Sequence, residues 1–237
     1  MSTIAAHLDD VLSRISRATA DAGRPADSVR LLAVSKTFGA DAVREAVAAG
    51  QRAFGENYVQ EALDKIAATA DARVDGEPLE WHFIGPLQSN KTRPVAEHFD
   101  WVHSVDRLKI AERLSAQRPA DLPPLQVCLQ VNISGEASKS GVTPDEVPAV
   151  ARAIAALPNL TLRGLMAIPE PEDDPSRQRE PFKAVRELFD TLRADGLALD
   201  TLSMGMSGDL EAAVAEGATM VRIGTAIFGA RDYGSRA

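Results

Sequence analysis

Eight short apolar runs recur along the chain, at 31–35, 52–55, 80–84, 101–105, 125–132, 162–168, 201–205 and 220–224, each followed by a longer segment, several of helical period. Their starts lie 19 to 39 residues apart, the length of a strand plus a crossover helix, which predicts a parallel sheet. Gly50, Gly196 and Gly217 fall at helix-to-strand joints, where glycine is the expected helix stop. Thr143-Pro144-Asp145-Glu146 supplies a helix start, with threonine as N-cap, proline at the first helical position and glutamate placed for a capping box. Eight strand-helix units in about 200 residues predict an α/β fold, a single (β/α)8 TIM barrel. An open doubly wound sheet is the alternative, because eight strands do not prove closure, but no GxGxxG or Walker motif supports it.

The 237 residues suit one large domain, in which folding buries roughly 70 to 75% of the unfolded chain's surface. Length alone also admits two small domains, but no boundary is visible, and residues 1–237 read as one. Segments 71–79, 117–124 and 169–181 are rich in Pro, Asp and Glu and read as loops. Ile4, Leu8, Val11, Leu12 and Ile15 recur at helical spacing and make residues 3–22 an extra N-terminal helix, ended by Gly23 and Pro25. Such a helix covers the barrel bottom or mediates contact with another chain.

With 26 Lys+Arg against 34 Asp+Glu the net charge is −8, which argues against general affinity for nucleic acid or anionic membrane. Small anions must then be held by local dipoles. No run of 18 apolar residues is present, and Asp9, Asp10, Arg14 and Arg17 interrupt the place where a secretory signal is uninterruptedly apolar. The one cysteine, Cys128, lies in an apolar run and reads as a buried thiol in a reducing compartment. A soluble cytoplasmic protein is expected.

In a barrel the active face is built from the C-terminal ends of the strands, and phosphate is commonly held by the loops after the seventh and eighth. After the seventh run, Ser203-Met204-Gly205-Met206-Ser207-Gly208-Asp209 puts Ser207 where a helix begins, offering a hydroxyl and backbone N–H groups to an anion. After the eighth, Gly224 permits close backbone approach and Thr225 adds a hydroxyl and an N–H. Ordinary helix capping accounts for the same residues. The first strand of a barrel closes against the eighth, so Lys36, alone among six lysines in ending an apolar strand, lies beside this cup. A lysine there acts as a point charge on phosphate or as an amine forming a Schiff base; the blander role is snorkelling from a strand end. Arg222 shares a strand face with Gly224 and sits deeper on the same side. A guanidinium there needs an acceptor, such as the pyridine nitrogen of a phosphate-bearing cofactor. Because arginine stays protonated, it disfavours a proton on that nitrogen and weakens the ring as an electron sink. Segments 82–91, Gly55-Glu56-Asn57 and 132–141 add amides, acids and lysines after strands, and each also reads as turn, cap or solvated loop.

Other chemistries are poorly served. The histidines at 7, 82, 98 and 103 lack metal-ligand spacing, Gly205-Met206-Ser207-Gly208-Asp209 is not a GxSxG elbow, and the acidic segment 170–174 reads as a solvated turn.

Taken in order, Ala33-Val34-Ser35-Lys36-Thr37, Phe54-Gly55-Glu56-Asn57-Tyr58-Val59-Gln60-Glu61, 82–91, 132–141 and 202–229 resemble the motifs of the pyridoxal phosphate homeostasis proteins (YggS/PROSC-like) over nearly the whole chain. The last segment, with its SMGMS and VRIG elements, is the specific one. The resemblance implies a barrel like the N-terminal domain of alanine racemase, carrying pyridoxal 5'-phosphate (PLP) as a Schiff base on Lys36. It puts phosphate contacts on Ser207, Gly224 and Thr225, the ring-nitrogen contact on Arg222 and Asn57 near the cofactor. Lys139 matches a loop lysine with a suggested part in accepting or passing PLP, and Gly39 stands where many relatives carry proline.

The resemblance further implies a non-catalytic carrier that buffers PLP or delivers it to PLP-requiring apo-enzymes, as a monomer or a dimer. An amino-acid racemase of the same barrel is the alternative, but racemization needs acid/base groups on both faces of the substrate carbon. In the resembling racemases a tyrosine from a C-terminal β-domain supplies the second, and here the sequence ends at Ala237 with only Tyr58, expected on a helix, and Tyr233 in the tail. A phosphosugar aldolase or isomerase using Lys36 directly would need a nearby acid/base, for which Glu56 is the candidate.

Overall fold

The computed structural model describes residues 3–135 and 140–229; Lys139, Tyr233 and Ala237 lie outside the described residues. In chain order the strands are β1 (Arg30–Val34), β2 (Ala53–Glu56), β3 (Arg73–Val74), β4 (Glu77–Pro78), β5 (Glu80–Phe83), β6 (Trp101–Val105), β7 (Leu125–Val131), β8 (Leu160–Ala167), β9 (Thr201–Ser203) and β10 (Met220–Ile223). The helices are α1 (Thr3–Asp21), α2 (Ala40–Ala48), α3 (Val59–Ala68), α4 (Thr92–His98), α5 (Leu108–Gln117), α6 (Val147–Ala155), α7 (Pro175–Ala194), α8 (Leu210–Ala215) and α9 (Thr225–Phe228). Eight strands form a closed parallel barrel in the order β1-β10-β9-β8-β7-β6-β5-β2, with β2 returning to β1. Closure excludes the open sheet.

Period-two alternation sorts the strand side chains into two layers. Leu31, Ala33, Phe54, Phe83, Val102, Val127 and Leu129 join helix residues in one large core outside the barrel wall. Leu32, Ala53 and Met220 form one small inner cluster, and Trp101, Cys128 and Met166 another. Burial pushes the Cys128 thiol up to about 12, so it is an inert packing group. Gly50, Gly196 and Gly217 close their helices at φ 91°, 94° and 95°, a region that β-carbon sterics deny most residues.

Helix α1 buries Leu8, Val11, Ile15 and Ala18, while Leu12, expected on that face, is 46% exposed. The helix packs on α2, α8 and α9 at the barrel's side, not its bottom. His7 Nδ1 meets the Ile227 carbonyl at 2.9 Å, and Arg14 donates to the Ser207 carbonyl at 2.8 Å while pairing with Glu211 at 2.5 Å. The N-terminal helix thus braces the segments after both β9 and β10. No helix among the described residues is long and apolar enough to cross a membrane.

Three local expectations are corrected. Segment 71–79 contains the β3–β4 hairpin, turned by Asp75 and Gly76 at φ 52° and 83°, the residue pair that suits a tight reversal. Segment 169–181 is loop only to Asp174, whose carboxylate accepts from the Ser176 N–H and starts α7 inside the proline-rich stretch. Helix α6 starts at Val147, after a turn in which the Glu146 carboxylate accepts both the N–H and the hydroxyl of Thr143. The glutamate half of the expected capping box is thus formed, while among the described residues no helix N–H donates to the Thr143 hydroxyl.

Candidate functional site

Lys36, Asn57, Ser207, Arg222, Gly224 and Thr225 line one cavity of about 280 Å³ at the C-terminal ends of the strands. Barrel closure brings them together. Ala33 and Ile223 are register partners on β1 and β10, so the chain leaves both strands side by side, carrying Lys36 after one and Gly224-Thr225 after the other. A β-carbon at Gly224 would meet the Val34 carbonyl at 3.1 Å, which is the close approach expected of this glycine. Ser207 comes from the turn after β9, where the Met206 N–H donates to Asp209 Oδ1 at 2.6 Å. Val34, Phe38 and Ile84 supply apolar wall, and Ile168 and Met206 stand at the mouth, 45% and 37% exposed.

Asn57 follows β2, and its side-chain Oδ1 is buried without a hydrogen-bond partner. A buried amide oxygen left unpaired is costly, and Asn57 is also a residue of the cavity wall, where a polar ligand group could relieve that cost. Glu56, one residue beyond the expected run, belongs to the strand, and Tyr58, expected on a helix, is the extended residue before α3.

The Lys36 turn is pinned on both flanks. On one side, Ser35 donates its hydroxyl to Glu56 Oε1 at 2.6 Å, and Lys65 Nζ donates to the Ser35 carbonyl at 2.7 Å. On the other, Thr37 adopts φ 71°, which is strained for a β-branched residue, and its N–H donates to Glu61 Oε1 at 2.6 Å. Lys65 joins the halves, pairing with Glu56 at 2.6 Å and Glu61 at 2.7 Å. Lys65 is 3% exposed and Glu56 is fully buried; desolvation outweighs the Lys65 charge and raises the Glu56 carboxyl. Sequence reasoning missed this network. Its signal, Glu61 and Lys65 at i,i+4 on α3, is indistinguishable from an ordinary exposed helix pair.

Arg222 is 4% exposed and crosses the barrel interior. Its Nη1 donates to the Ser203 carbonyl at 2.6 Å and hydroxyl at 2.8 Å, and its Nη2 to the Ala167 carbonyl at 2.9 Å. Burial lowers its pKa to about 10, which leaves it cationic at neutral pH. The cavity thus offers one fixed cation, one amine, two hydroxyls, a side-chain amide and close backbone: a set suited to a small planar anion with a carbonyl.

Residues 7–232 match the family model described as alanine racemase, N-terminal domain. A protein of Pseudomonas aeruginosa named pyridoxal phosphate homeostasis protein is 66% identical over the full length of both chains. The chain belongs to the pyridoxal phosphate homeostasis protein family. Its Escherichia coli K12 member of the same name is 57% identical, again over 100% of each chain. Among solved structures, PipY of Synechococcus elongatus with PLP bound is 40% identical with a TM-score of 0.82, covering 95% of this chain and 100% of that one.

Proposed function

We propose that this chain binds PLP in the cavity as a Schiff base on Lys36 and serves intracellular PLP homeostasis, holding or delivering the cofactor without catalytic turnover. The observation that carries the reading is the convergence of Lys36, Arg222 and the Ser207, Gly224 and Thr225 cup on one cavity whose wall also includes Asn57. The PLP-bound structure of a 40% identical protein supports the same cofactor here. The Ser207 and Thr225 hydroxyls with the Gly224 backbone would hold the phosphate, Arg222 would donate to the ring nitrogen, and Asn57 would serve as a further cofactor-binding residue. Bound there, PLP would supply an aldehyde able to condense with the Lys36 amine, with loss of water.

The non-catalytic part rests on what the cavity lacks. Its ionisable lining among the described residues is Lys36 and Arg222, so the second acid/base group of a racemase is missing there. Glu56, which the aldolase reading requires, is buried under Ser35 and Lys65 instead of facing substrate. The proposal places the chain in the cytoplasm, as a monomer or dimer that hands PLP to apo-enzymes.

Titration of the apo chain with PLP tests it. One equivalent binds, and Ser207→Ala and Thr225→Val each weaken binding by about three- to tenfold, the worth of one hydrogen bond to a charged group. Unchanged affinity in both variants contradicts the cup.

A further inference from the structure

Behind Arg222 an unbroken series of polar contacts runs through the barrel to its opposite end. Ser203 Oγ lies 2.7 Å from His103 Nδ1, His103 Nε2 lies 2.8 Å from His82 Nδ1, and His82 Nε2 lies 2.7 Å from Glu80 Oε1. Glu80 also accepts from Arg30 at 2.7 Å. Both histidines are fully buried, and His82 is stacked on Trp101 with ring centroids 5.2 Å apart. The proposed cofactor site uses neither ring.

The two ends restrict how protons are arranged. An arginine offers donors only and an ionised carboxylate acceptors only. Starting from Glu80, His82 must place a proton on Nε2. A neutral His82 then accepts at Nδ1, so His103 donates from Nε2, accepts at Nδ1, and receives the Ser203 hydroxyl proton. Ser203 in turn accepts from Arg222. The competing arrangement makes His82 an imidazolium and reverses His103. The charged groups facing the pair are Glu80, Arg30, Asp100 and Arg222, with Arg163 over the outer ring of Trp101. Burial is the largest influence on each ring and lowers both, and Arg222 and Arg30 act in the same direction on His103.

We infer that Ser203, His103 and His82 are positioning residues for Arg222: a hydrogen-bond chain with every donor directed toward Glu80, both imidazoles neutral and protonated on Nε2. The inference rests on the proposed cofactor reading only for what Arg222 touches. Because the Ser203 hydroxyl is fixed as an acceptor toward Arg222, the inner donors of the guanidinium are held in place and the group is kept from rotating. No proton is transferred, since arginine does not give one up.

The full-length chain labelled with nitrogen-15 histidine gives the direct test. Long-range proton–nitrogen spectra from about pH 5.5 to 8.5 show His82 and His103 each with a bare Nδ1 and a protonated Nε2, unchanged across the range. An imidazolium or an Nδ1–H form at either residue overturns the inference. PLP titration supplies the second readout. Ser203→Ala and His103→Leu each weaken binding about tenfold, and the double variant is little worse than either. His103→Gln, which keeps one acceptor and one donor, restores binding to within about threefold. Affinity unchanged from the parent chain in both His103→Leu and Ser203→Ala overturns the positioning role, as does failure of the glutamine to rescue a folded His103→Leu. A parent chain that takes up no PLP sinks the cofactor reading instead, while the spectra still decide the direction of the chain.

Discussion

Lys65→Met lowers the free energy of unfolding at neutral pH by about 3 to 5 kcal/mol, because removing one partner of a buried ion pair leaves the other uncompensated. The partner is Glu56, fully buried, with its Oε2 already unpaired and its Oε1 then left with only the Ser35 hydroxyl. The loss depends on pH with a definite sign. Desolvation already raises the Glu56 carboxyl in the presence of Lys65, and without that cation it rises further. A carboxyl whose folded value lies above its unfolded one prefers the protonated form in the folded state. Stability is then retained below the ordinary carboxylate range, about pH 4, and falls as pH rises toward the folded value. Urea unfolding near pH 5 and near pH 8 therefore gives a smaller deficit at the lower pH. A deficit that is the same at both, or below about 1 kcal/mol, contradicts the charged pair. The same variant releases the Ser35 carbonyl and Glu61, so the Lys36 turn loosens and PLP affinity falls with stability.

Gly85→Ala damages the site through backbone alone. A β-carbon there would stand 2.3 Å from the Asn57 carbonyl oxygen and 2.6 Å from Asn57 Cα. These are main-chain atoms, so no rotamer change relieves the clash, and the Ile84 N–H to Glu56 carbonyl bond at 2.9 Å ties the two segments together just before it. Asn57 must move. The expected cost is about 1 to 3 kcal/mol of stability with a fall in PLP affinity of about tenfold or more. Gly39→Ala is the control: nothing lies within 4 Å of its β-carbon position and its φ is −79°. Equal affinities for the two variants would show that Asn57 placement does not matter to binding.

How much of this was legible in the sequence follows from what each residue's role depends on. The barrel was readable because strand-plus-helix spacing is local, and closure then gives each strand end an address. Lys36, Ser207, Arg222, Gly224 and Thr225 needed only that address to converge. Lys65 needed more: its burial comes from α3 packing over the joint after β1, which no local pattern encodes. His82, His103 and Ser203 alternate like other strand residues, and a period of two tells which share a face but not that this face encloses a polar chain. The β3–β4 hairpin has strands of two residues, too short to show alternation, though Asp75-Gly76 marked its turn. Leu12 fits the helical stripe of α1 by spacing, yet it is left exposed while Leu8, Val11, Ile15 and Ala18 are buried, because spacing alone does not fix how far the packed stripe extends around the helix.

Borohydride reduction of the PLP-loaded chain, followed by peptide mass mapping, tests the central claim most directly. The account predicts an absorption band between about 300 and 500 nm that reduction converts to a pyridoxyl adduct carried by the peptide containing Lys36 and by no other in stoichiometric amount. A band that leaves no fixed label, or a label on another lysine, contradicts it.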